Sequence, residues 1–171
     1  LCMDEFDGLA FYNGGAVAGA SEAHKHMQLI PLPMAQSGPR IPMETLLDGS
    51  GFGDRFCAVS GLPFSQLFAR VDSRDHNRAE RAYHLYRDML DAAGLNEAGA
   101  DGGARQLGPY NLLWTREWML LVPRRAEFFQ TISVNAIGFA GALLVKSDEE
   151  AHALKRHGPM AVLTHTAMPR R

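Results

Sequence analysis

Cysteine is scarce in this sequence. Its 171 residues include two cysteines, Cys2 and Cys57, which form no CxxC pair of the kind that holds zinc. Two thiols so far apart also cannot supply the dense disulfide network of a small secreted domain. The sequence therefore favours a protein of a reducing compartment, and we expect a cytoplasmic location.

Basic residues are not in excess, and long apolar runs are missing. The 17 lysines and arginines are outnumbered by 19 aspartates and glutamates, which argues against a broad nucleic-acid-binding surface. Any anionic ligand must therefore be held by a few local charges. The longest apolar run, from Ala136 to Val145, is too short to span a bilayer and contains Gly138 and Gly141. We expect partners that are neither nucleic acid nor membrane.

Strand-like and helix-like patterns are mixed along the chain without a regular strand–helix–strand repeat, which predicts an α+β fold. Short apolar runs bounded by turn residues indicate strands at 9–12, 24–30, 110–115, 118–123, 131–134 and 141–146. Helical spacing predicts a helix over 75–93, and Ser147 followed by Glu150 predicts a capping box that opens a final helix ending near Gly158. The glycine-rich stretch from Asn96 to Pro109 is expected to be a mobile loop.

The stretch from Asn13 to Pro33, NGGAVAGASEAHKHMQLIPLP, most directly suggests chemistry. After a glycine-rich run it places His24, His26 and Gln28 at alternate positions. In an extended strand alternate side chains project from one face, so these three are expected to lie together. Spacing alone leaves two other interpretations open. The histidines could be a zinc-binding HxH pair, for which no third and fourth ligands are obvious, or they could simply lie on the surface.

The same arrangement suits nucleophilic catalysis on phosphorus. A neutral imidazole is a nucleophile near pH 7, and the phosphoramidate that it forms is reactive enough to pass its group on. The second ring nitrogen is then expected to donate to a carbonyl, which fixes the tautomer. Glycine lets backbone N–H groups approach phosphate oxygens closely, and Ser21 adds a hydroxyl donor.

Three ordered blocks spread over nearly the whole chain resemble one family. GASEAHKHMQ is similar to the histidine-triad (HIT) superfamily signature in its transferase form, H-x-H-x-Q. Together with PYNLLWTREWMLLVPR and ISVNAIGFAGALLVK, it resembles the diadenosine tetraphosphate phosphorylases, or ATP adenylyltransferases. The resemblance implies a HIT-like antiparallel sheet with flanking helices, as a partial HIT half-barrel. It assigns residues 1–34 to the C-terminal part of the catalytic core, 35–72 to an irregular wrapping segment and 73–171 to a C-terminal adenylyltransferase region.

The resemblance also implies roles for individual residues. His26 aligns with the nucleophile that is adenylylated at the α-phosphorus, and His24 is expected to orient it or the phosphate. Gln28 is expected to hydrogen-bond the phosphate or the adenylyl intermediate. Further nucleotide and phosphate contacts are implied for Asn13, Gly19, Ala20, Ser21 and Glu22 before the strand, and for Asn135, Ala136, Ile137 and Lys146 near the C-terminus.

Several other side chains could also meet a nucleotide. Arg116, Arg124 and Arg125 are interpreted as surface charges. Trp114 and Trp118 are interpreted as core residues rather than platforms for a base. The sequence shows no metal site, although Mg²⁺ or another divalent cation could screen a polyphosphate without being required as a cofactor.

The implied activity is that of a nucleotidyltransferase. Such an enzyme converts diadenosine tetraphosphate and inorganic phosphate into ATP and ADP, reversibly, through an adenylyl-histidine intermediate. A hexose-1-phosphate uridylyltransferase-like reaction and an adenylyl-sulfate-dependent transfer are alternatives, as is a nucleotide-binding fragment without turnover. The last alternative arises because members of the family carry a longer N-terminal portion, with further strands and a lysine that contacts the polyphosphate. We therefore expect an N-terminally incomplete protein whose sheet has an exposed edge.

Overall fold

The computed structural model describes residues 2–50, 55–71, 77–98 and 104–170. Its strands are β1 (Gly8–Gly14), β2 (Met27–Pro31), β3 (Leu67–Arg70), β4 (Asn96–Ala98), β5 (Ala104–Gln106), β6 (Tyr110–Trp114), β7 (Trp118–Pro123), β8 (Phe128–Phe129) and β9 (Ile132–Ser133). Five of them form an antiparallel sheet in the order β2-β1-β6-β7-β3. β4 pairs with β5 and β8 pairs with β9 in two small sheets.

Six α-helices accompany the strands in the described parts of the chain. They are α1 (Cys2–Glu5), α2 (Glu44–Leu47), α3 (Arg78–Ala92), α4 (Ala136–Phe139), α5 (Asp148–His157) and α6 (Pro159–Thr166), and a short 3₁₀ helix spans Ala16–Ala18. The α+β class and the antiparallel sheet are thus confirmed. None of the helices described here is both long and apolar enough to cross a bilayer.

The five-stranded sheet separates two apolar layers, because successive side chains of a strand point to opposite faces. On one face Leu9, Phe11 and Leu113 are buried against the segments around Ile41 and Phe139. On the other face, buried side chains of the sheet pack against the buried side of α3. Those on the second face are Tyr12, Ala69, Tyr110, Leu112, Met119 and Leu121.

Several predicted elements are confirmed, and each has a strong local signal. The apolar runs on either side of Arg116 and Glu117 form β6 and β7. The predicted long helix is α3, and within the described residues it begins at Arg78. Ser147 caps α5 by accepting a hydrogen bond from the Glu150 backbone N–H at 3.3 Å, and Gly158 ends the helix with a φ of 80°.

Other predictions are wrong in extent or type. The predicted strand at 141–146 has no ladder partner, because the chain turns at Gly141 after α4 and then runs without regular structure to α5. α5 is followed by a further helix, α6, which the sequence pattern did not indicate. The ends of the expected mobile loop at 96–109 pair as β4 and β5, while 99–103 lie outside the described residues. The wrapping segment also contributes β3 to the main sheet.

β2 is an edge strand of the described sheet. It pairs with β1 on one side, and most of its side chains are exposed, including Met27 at 52%. The predicted strand was expected to begin at His24, but ladder pairing begins at Met27. The residues from Ser21 to His26 form bends and irregular backbone instead. This difference matters for where the histidine side chains lie.

Candidate active site

Two of the predicted site residues, Asn13 and His26, lie at one end of the sheet. The last register pair between β1 and β2 joins Tyr12 to Met27, so Asn13 and His26 are the next residues along their two strands. The glycine-rich connection between them begins at Gly14 and contains the 3₁₀ helix Ala16–Ala18. The candidate nucleophile, His26, and the first residue of the predicted phosphate-binding group, Asn13, therefore lie at the same end of the sheet.

His24 and His26 stand side by side at this edge. Their ring centroids are 5.2 Å apart, with the planes tilted by 46°. The Nδ1 atom of His26 lies 3.2 Å from the carbonyl oxygen of His24, and because a carbonyl only accepts, Nδ1 must carry the proton in this contact. In the neutral imidazole, this contact leaves the free lone pair on Nε2 of His26. His26 is half-buried and His24 is exposed.

His26 lines a cavity of about 370 Å³ between the sheet and α3. The walls are largely aromatic, and they include Tyr83, Tyr86, Tyr110 and Trp114. The hydroxyl groups of Tyr86 and Tyr110 are 2.6 Å apart, and burial raises the pKa of both, so they stay neutral near physiological pH. The candidate nucleophile thus borders a cavity with aromatic walls, in which the tyrosine hydroxyl groups are neutral.

Gln28 does not share that face. It is paired with Phe11, whereas Met27 is paired with Tyr12, and neighbouring register pairs project to opposite sides of a sheet. Since His26 lines the cavity on the Tyr12 side, the expectation that His24, His26 and Gln28 share one strand face is not met. The physical reason is that strand alternation begins only at Met27, so it does not govern the irregular residues before it.

A network of buried polar groups lies on the Phe11 face, beside Asn13. The Oδ1 atom of Asn13 accepts hydrogen bonds from Asn111 Nδ2 at 2.8 Å and from the Ala136 backbone N–H at 2.9 Å. Asn111 Nδ2 also donates to the Ala18 carbonyl oxygen at 2.9 Å. The strand β1, the glycine-rich loop and the start of α4 are thereby joined through two amide side chains.

Arg124 is the centre of this network, and its interpretation as a surface charge is wrong. The side chain is 2% exposed. Its guanidinium donates to Asn111 Oδ1 and to backbone carbonyl oxygens of four residues: Thr166 at 3.1 Å, Ala126 at 2.8 Å, Val134 at 2.9 Å and Ala18 at 3.4 Å. It also lies over the Phe139 ring, 5.1 Å from the centroid. Arg125, by contrast, is exposed as predicted.

The buried charge of Arg124 has electrostatic consequences. Burial lowers its pKa to about 10, an effect that the nearby Glu127 partly opposes, so the group is still protonated near neutral pH. No salt bridge in the described part of the chain reaches it. A cation that is solvated by carbonyl dipoles instead of a carboxylate leaves a positive potential nearby, which favours anions at this end of the sheet.

The start of α4 holds three of the predicted contact residues. Asn135 caps the helix, since its Oδ1 atom accepts from the Ile137 backbone N–H at 3.0 Å. Gly19 packs tightly against this turn: a Cβ atom added there would lie 2.8 Å from the Val134 carbonyl oxygen. Gly19 also has a φ of 82°. The structure thus brings Asn13, Gly19, Asn135, Ala136 and Ile137 together.

The remaining predicted residues lie outside this cluster. Ser21, Glu22 and Lys146 are exposed and Ala20 is half-buried. Lys146 precedes α5, where its backbone N–H donates to Glu150 Oε2 at 2.7 Å. Within the residues described, no hydrogen bond or ring contact joins the histidine pair to the Asn13 cluster. The described residues also contain no group of three or more His, Cys, Asp or Glu side chains placed to hold a metal ion.

The tryptophans divide between core and cavity. Trp118 is buried as predicted, and its Nε1 atom donates to Glu44 Oε1 at 3.1 Å. Trp114 is only partly buried and lines the cavity beside His26.

Asn111 was not singled out from the sequence at all. Its signal is a lone amide in the apolar run YNLLW, where an inward-facing polar side chain needs buried partners.

Comparison with known proteins identifies the family. The model of the ATP adenylyltransferase C-terminal domain matches residues 60–169, and that of the Ap4A phosphorylase N-terminal domain matches residues 1–49. Two curated relatives come from Saccharomyces cerevisiae. Protein APA1 is 27% identical over 82% of this chain and 46% of its own length. Diadenosine 5',5'''-P1,P4-tetraphosphate phosphorylase 2 is 26% identical over 85% of this chain and 47% of its own length.

The fold is shared with a solved structure. The crystal structure of yeast Ap4A phosphorylase Apa2 in complex with Ap4A superposes with a TM-score of 0.73, at 22% identity, over 96% of this chain and 55% of that one. The chain spans about half the length of the curated relatives it matches. One family model covers residues 60–169, more than half of the chain, and a second covers residues 1–49. This chain therefore belongs to the ATP adenylyltransferase (Ap4A phosphorylase) family.

Proposed function

We propose that this protein transfers an adenylyl group from diadenosine tetraphosphate to inorganic phosphate, with ATP and ADP as products. In the first step a bond forms between His26 Nε2 and the α-phosphorus, while the bond from that phosphorus to its bridging oxygen breaks and ATP leaves. In the second step an oxygen of inorganic phosphate attacks the same phosphorus, the P–N bond breaks, and ADP is formed. The imidazole is regenerated, so the reaction can run in either direction.

The observation that carries this proposal is the contact between His26 Nδ1 and the His24 carbonyl oxygen. In the neutral imidazole it holds the proton on the nitrogen that does not react, so that Nε2 carries the lone pair needed for attack. Family membership supports the same assignment, because a relative of this chain is named a diadenosine tetraphosphate phosphorylase. Activity, substrates and partners are therefore proposed for this chain by analogy as well as by geometry.

Phosphate binding is proposed for the Asn13 cluster and the glycine-rich loop. The buried Arg124 charge favours an anion there. Lys146 and Ser21 are proposed as further contacts, and Gln28 as a hydrogen-bonding partner of the phosphate or the adenylyl group. A divalent cation such as Mg²⁺ is proposed to arrive with the polyphosphate, without dedicated protein ligands. We place this activity in the cytoplasm.

The test is covalent labelling. The protein is incubated with diadenosine tetraphosphate that carries a radiolabelled α-phosphorus, without inorganic phosphate, and then precipitated. A phosphoramidate is labile to acid and stable to base, so the expected product is an acid-labile, base-stable label on the protein. Addition of inorganic phosphate is expected to release the label as ADP. Reversible binding without any covalent label would instead identify a nucleotide-binding fragment.

Two variants and two other substrates complete the experiment. His26→Ala is expected to abolish the label, whereas His152→Ala, which removes an exposed histidine on α5, is expected to retain it. Labelled UDP-glucose and labelled adenylyl sulfate are tested in parallel. Faster labelling from either one than from diadenosine tetraphosphate would identify the uridylyltransferase-like or the sulfate-dependent reaction as the correct one.

A further inference from the structure

Asn13 can present either its oxygen or its NH₂ group to a bound nucleotide, and the two choices have opposite chemistry. An outward oxygen would repel a phosphate, whereas an outward NH₂ group would donate a hydrogen bond to it. Orientation of the amide therefore decides whether the residue binds or rejects an anion. The network behind Asn13 contains enough obligate donors and acceptors to fix that orientation.

The first fixed point is Arg124. A guanidinium group can only donate, so the atom of Asn111 that faces it must be the oxygen. The carbonyl oxygen of Ala18 can only accept, so the atom of Asn111 that lies 2.9 Å from it must be the nitrogen. Asn111 is fully buried, with 0% exposure, and both ends of its amide are thus determined by partners that allow no alternative.

The second fixed point is Asn13 itself. Since Asn111 directs its nitrogen toward Asn13, the facing atom of Asn13 must accept, and it does so at 2.8 Å. The backbone N–H of Ala136, another obligate donor, meets the same oxygen at 2.9 Å. The Nδ2 group is left on the other side. Within the described residues this group has no hydrogen-bond partner, and it is not among the fully buried atoms that lack one, which belong to Gln66 and Arg87, so it keeps some contact with solvent.

We propose that Arg124 and Asn111 are positioning residues that fix the amide of Asn13 with its NH₂ group toward the substrate. In this relay, Arg124 fixes the orientation of the Asn111 amide, and Asn111 in turn fixes that of the Asn13 amide. Asn13 then donates to a phosphate oxygen of the nucleotide. The inference rests on the proposed function, because it assigns the outward NH₂ group to phosphate binding.

The relay is tested by a double-mutant cycle, with AMP binding to the intact protein measured by calorimetry. Asn111→Asp keeps an acceptor for Arg124 but removes the donor that faces Asn13, so the affinity for AMP is expected to fall about tenfold. Asn13→Ala is expected to cause a similar loss. In the double variant the loss is expected to be no greater than in Asn13→Ala alone, because Asn111 acts through Asn13. Asn96→Asp, the same chemical change outside the network, is the control and is expected to bind as the unmodified protein does.

A purely structural role for Asn111 would give a different result. The losses would then add in the double variant, or the melting temperature would fall while AMP affinity stayed unchanged, and either outcome would overturn the proposal. Labelling of His26 is scored separately. A protein that binds AMP as described but forms no adenylyl-histidine refutes the proposed reaction and leaves the relay supported.

A measurement on the unmodified protein covers the case in which Asn111→Asp does not fold. The side-chain NH₂ protons of Asn13 and Asn111 are followed by NMR in deuterated water. In the protein without a ligand, the relay requires rapid exchange at Asn13 and protection at Asn111, because only the first NH₂ group reaches solvent. Protection of both groups, or exchange of the Asn111 group at the same rate as that of Asn13, would contradict it.

Discussion

The two halves of the candidate site are built in opposite ways. The histidine pair lies in an irregular segment at the edge of the sheet, where His24 is exposed and His26 has one hydrogen bond within the described part of the chain, to a neighbouring carbonyl. The Asn13 cluster rests on Arg124 and Asn111, both almost fully buried, with each polar atom of the Asn111 amide bonded. The histidine half is held by few contacts, whereas hydrogen bonds fix the side chains of the Asn13 half.

The difference matches what the two halves are proposed to do. A nucleophile that forms and breaks a covalent bond changes partners during each cycle, and a loosely held imidazole can do so at little cost. Hydrogen-bond donors to a phosphate are most effective when they are fixed before the ligand arrives, because no reorganisation is then required. We infer that changes in the histidine segment affect chemistry with little effect on stability, and that changes in the buried network affect stability first.

The largest expected effect concerns the histidine half. His26→Ala is expected to lower the rate of phosphate-dependent cleavage of diadenosine tetraphosphate by roughly 10³-fold or more, since it removes the proposed nucleophile. The free energy of unfolding is expected to change by less than about 0.5 kcal/mol, because the ring is half-buried and weakly bonded. Rate assays and urea denaturation measure the two quantities. A large loss of stability in this variant would contradict the conclusion that the histidine half contributes little to stability.

Arg124→Met is the corresponding change in the buried half. The Asn111 amide and the carbonyl groups of Ala126 and Val134 would lose the Arg124 donor at once, so the free energy of unfolding is expected to fall by roughly 3–5 kcal/mol. Arg125→Met is the control, because that neighbouring side chain is exposed and, among the described residues, donates only to the His165 carbonyl oxygen, and it is expected to cost less than about 1 kcal/mol. Equal losses in the two variants, measured by denaturation, would show that the network contributes no special stability.

Gly19→Ala tests how tightly the buried half is packed. An added methyl group would meet the Val134 carbonyl oxygen at 2.8 Å in addition to the strain of a φ of 82°, so a loss of about 3 kcal/mol is expected. Gly94→Ala has a comparable φ of 66° but free space around it, and about 1 kcal/mol is expected from strain alone. If thermal unfolding gives the same loss for both, the contact between the glycine-rich loop and α4 is looser than the structure indicates.

The smallest effect is expected at the start of α4. Asn135→Ala removes the capping oxygen and is expected to cost about 1 kcal/mol, whereas Asn135→Ser retains an acceptor and is expected to cost only a few tenths. AMP binding to the serine variant then separates two roles. Unchanged affinity would show that Asn135 only caps the helix, and weaker binding at unchanged stability would show that its amide contacts the nucleotide.

Prediction from the sequence succeeded where a local signal was strong. The runs around Leu112 and Leu120 formed adjacent strands because an apolar run between turn residues has few other stable conformations. The cap at Ser147 was confirmed because its hydrogen bond spans only three residues, although the Glu150 carboxylate accepts from the Lys146 N–H and not from that of Ser147. The four residues Leu67–Arg70 were missed as a strand because their pairing partner is β7, some fifty residues further along the chain, and the run itself is short.

The same distinction applies to the candidate site: some of its features follow from local sequence, and others depend on tertiary contacts. The composition and order of NGGAVAGASEAHKHMQ determined which chemistry was available and suggested which family the chain belongs to, because both depend on residue types at short spacing. Burial of Arg124, the link from Asn111 to Asn13, and the separation of His26 from Gln28 onto different faces were decided only by the tertiary structure. These features depend on contacts between residues up to about a hundred positions apart, such as Asn13 with Asn111, and on the point at which strand pairing starts. No local pattern records either of them.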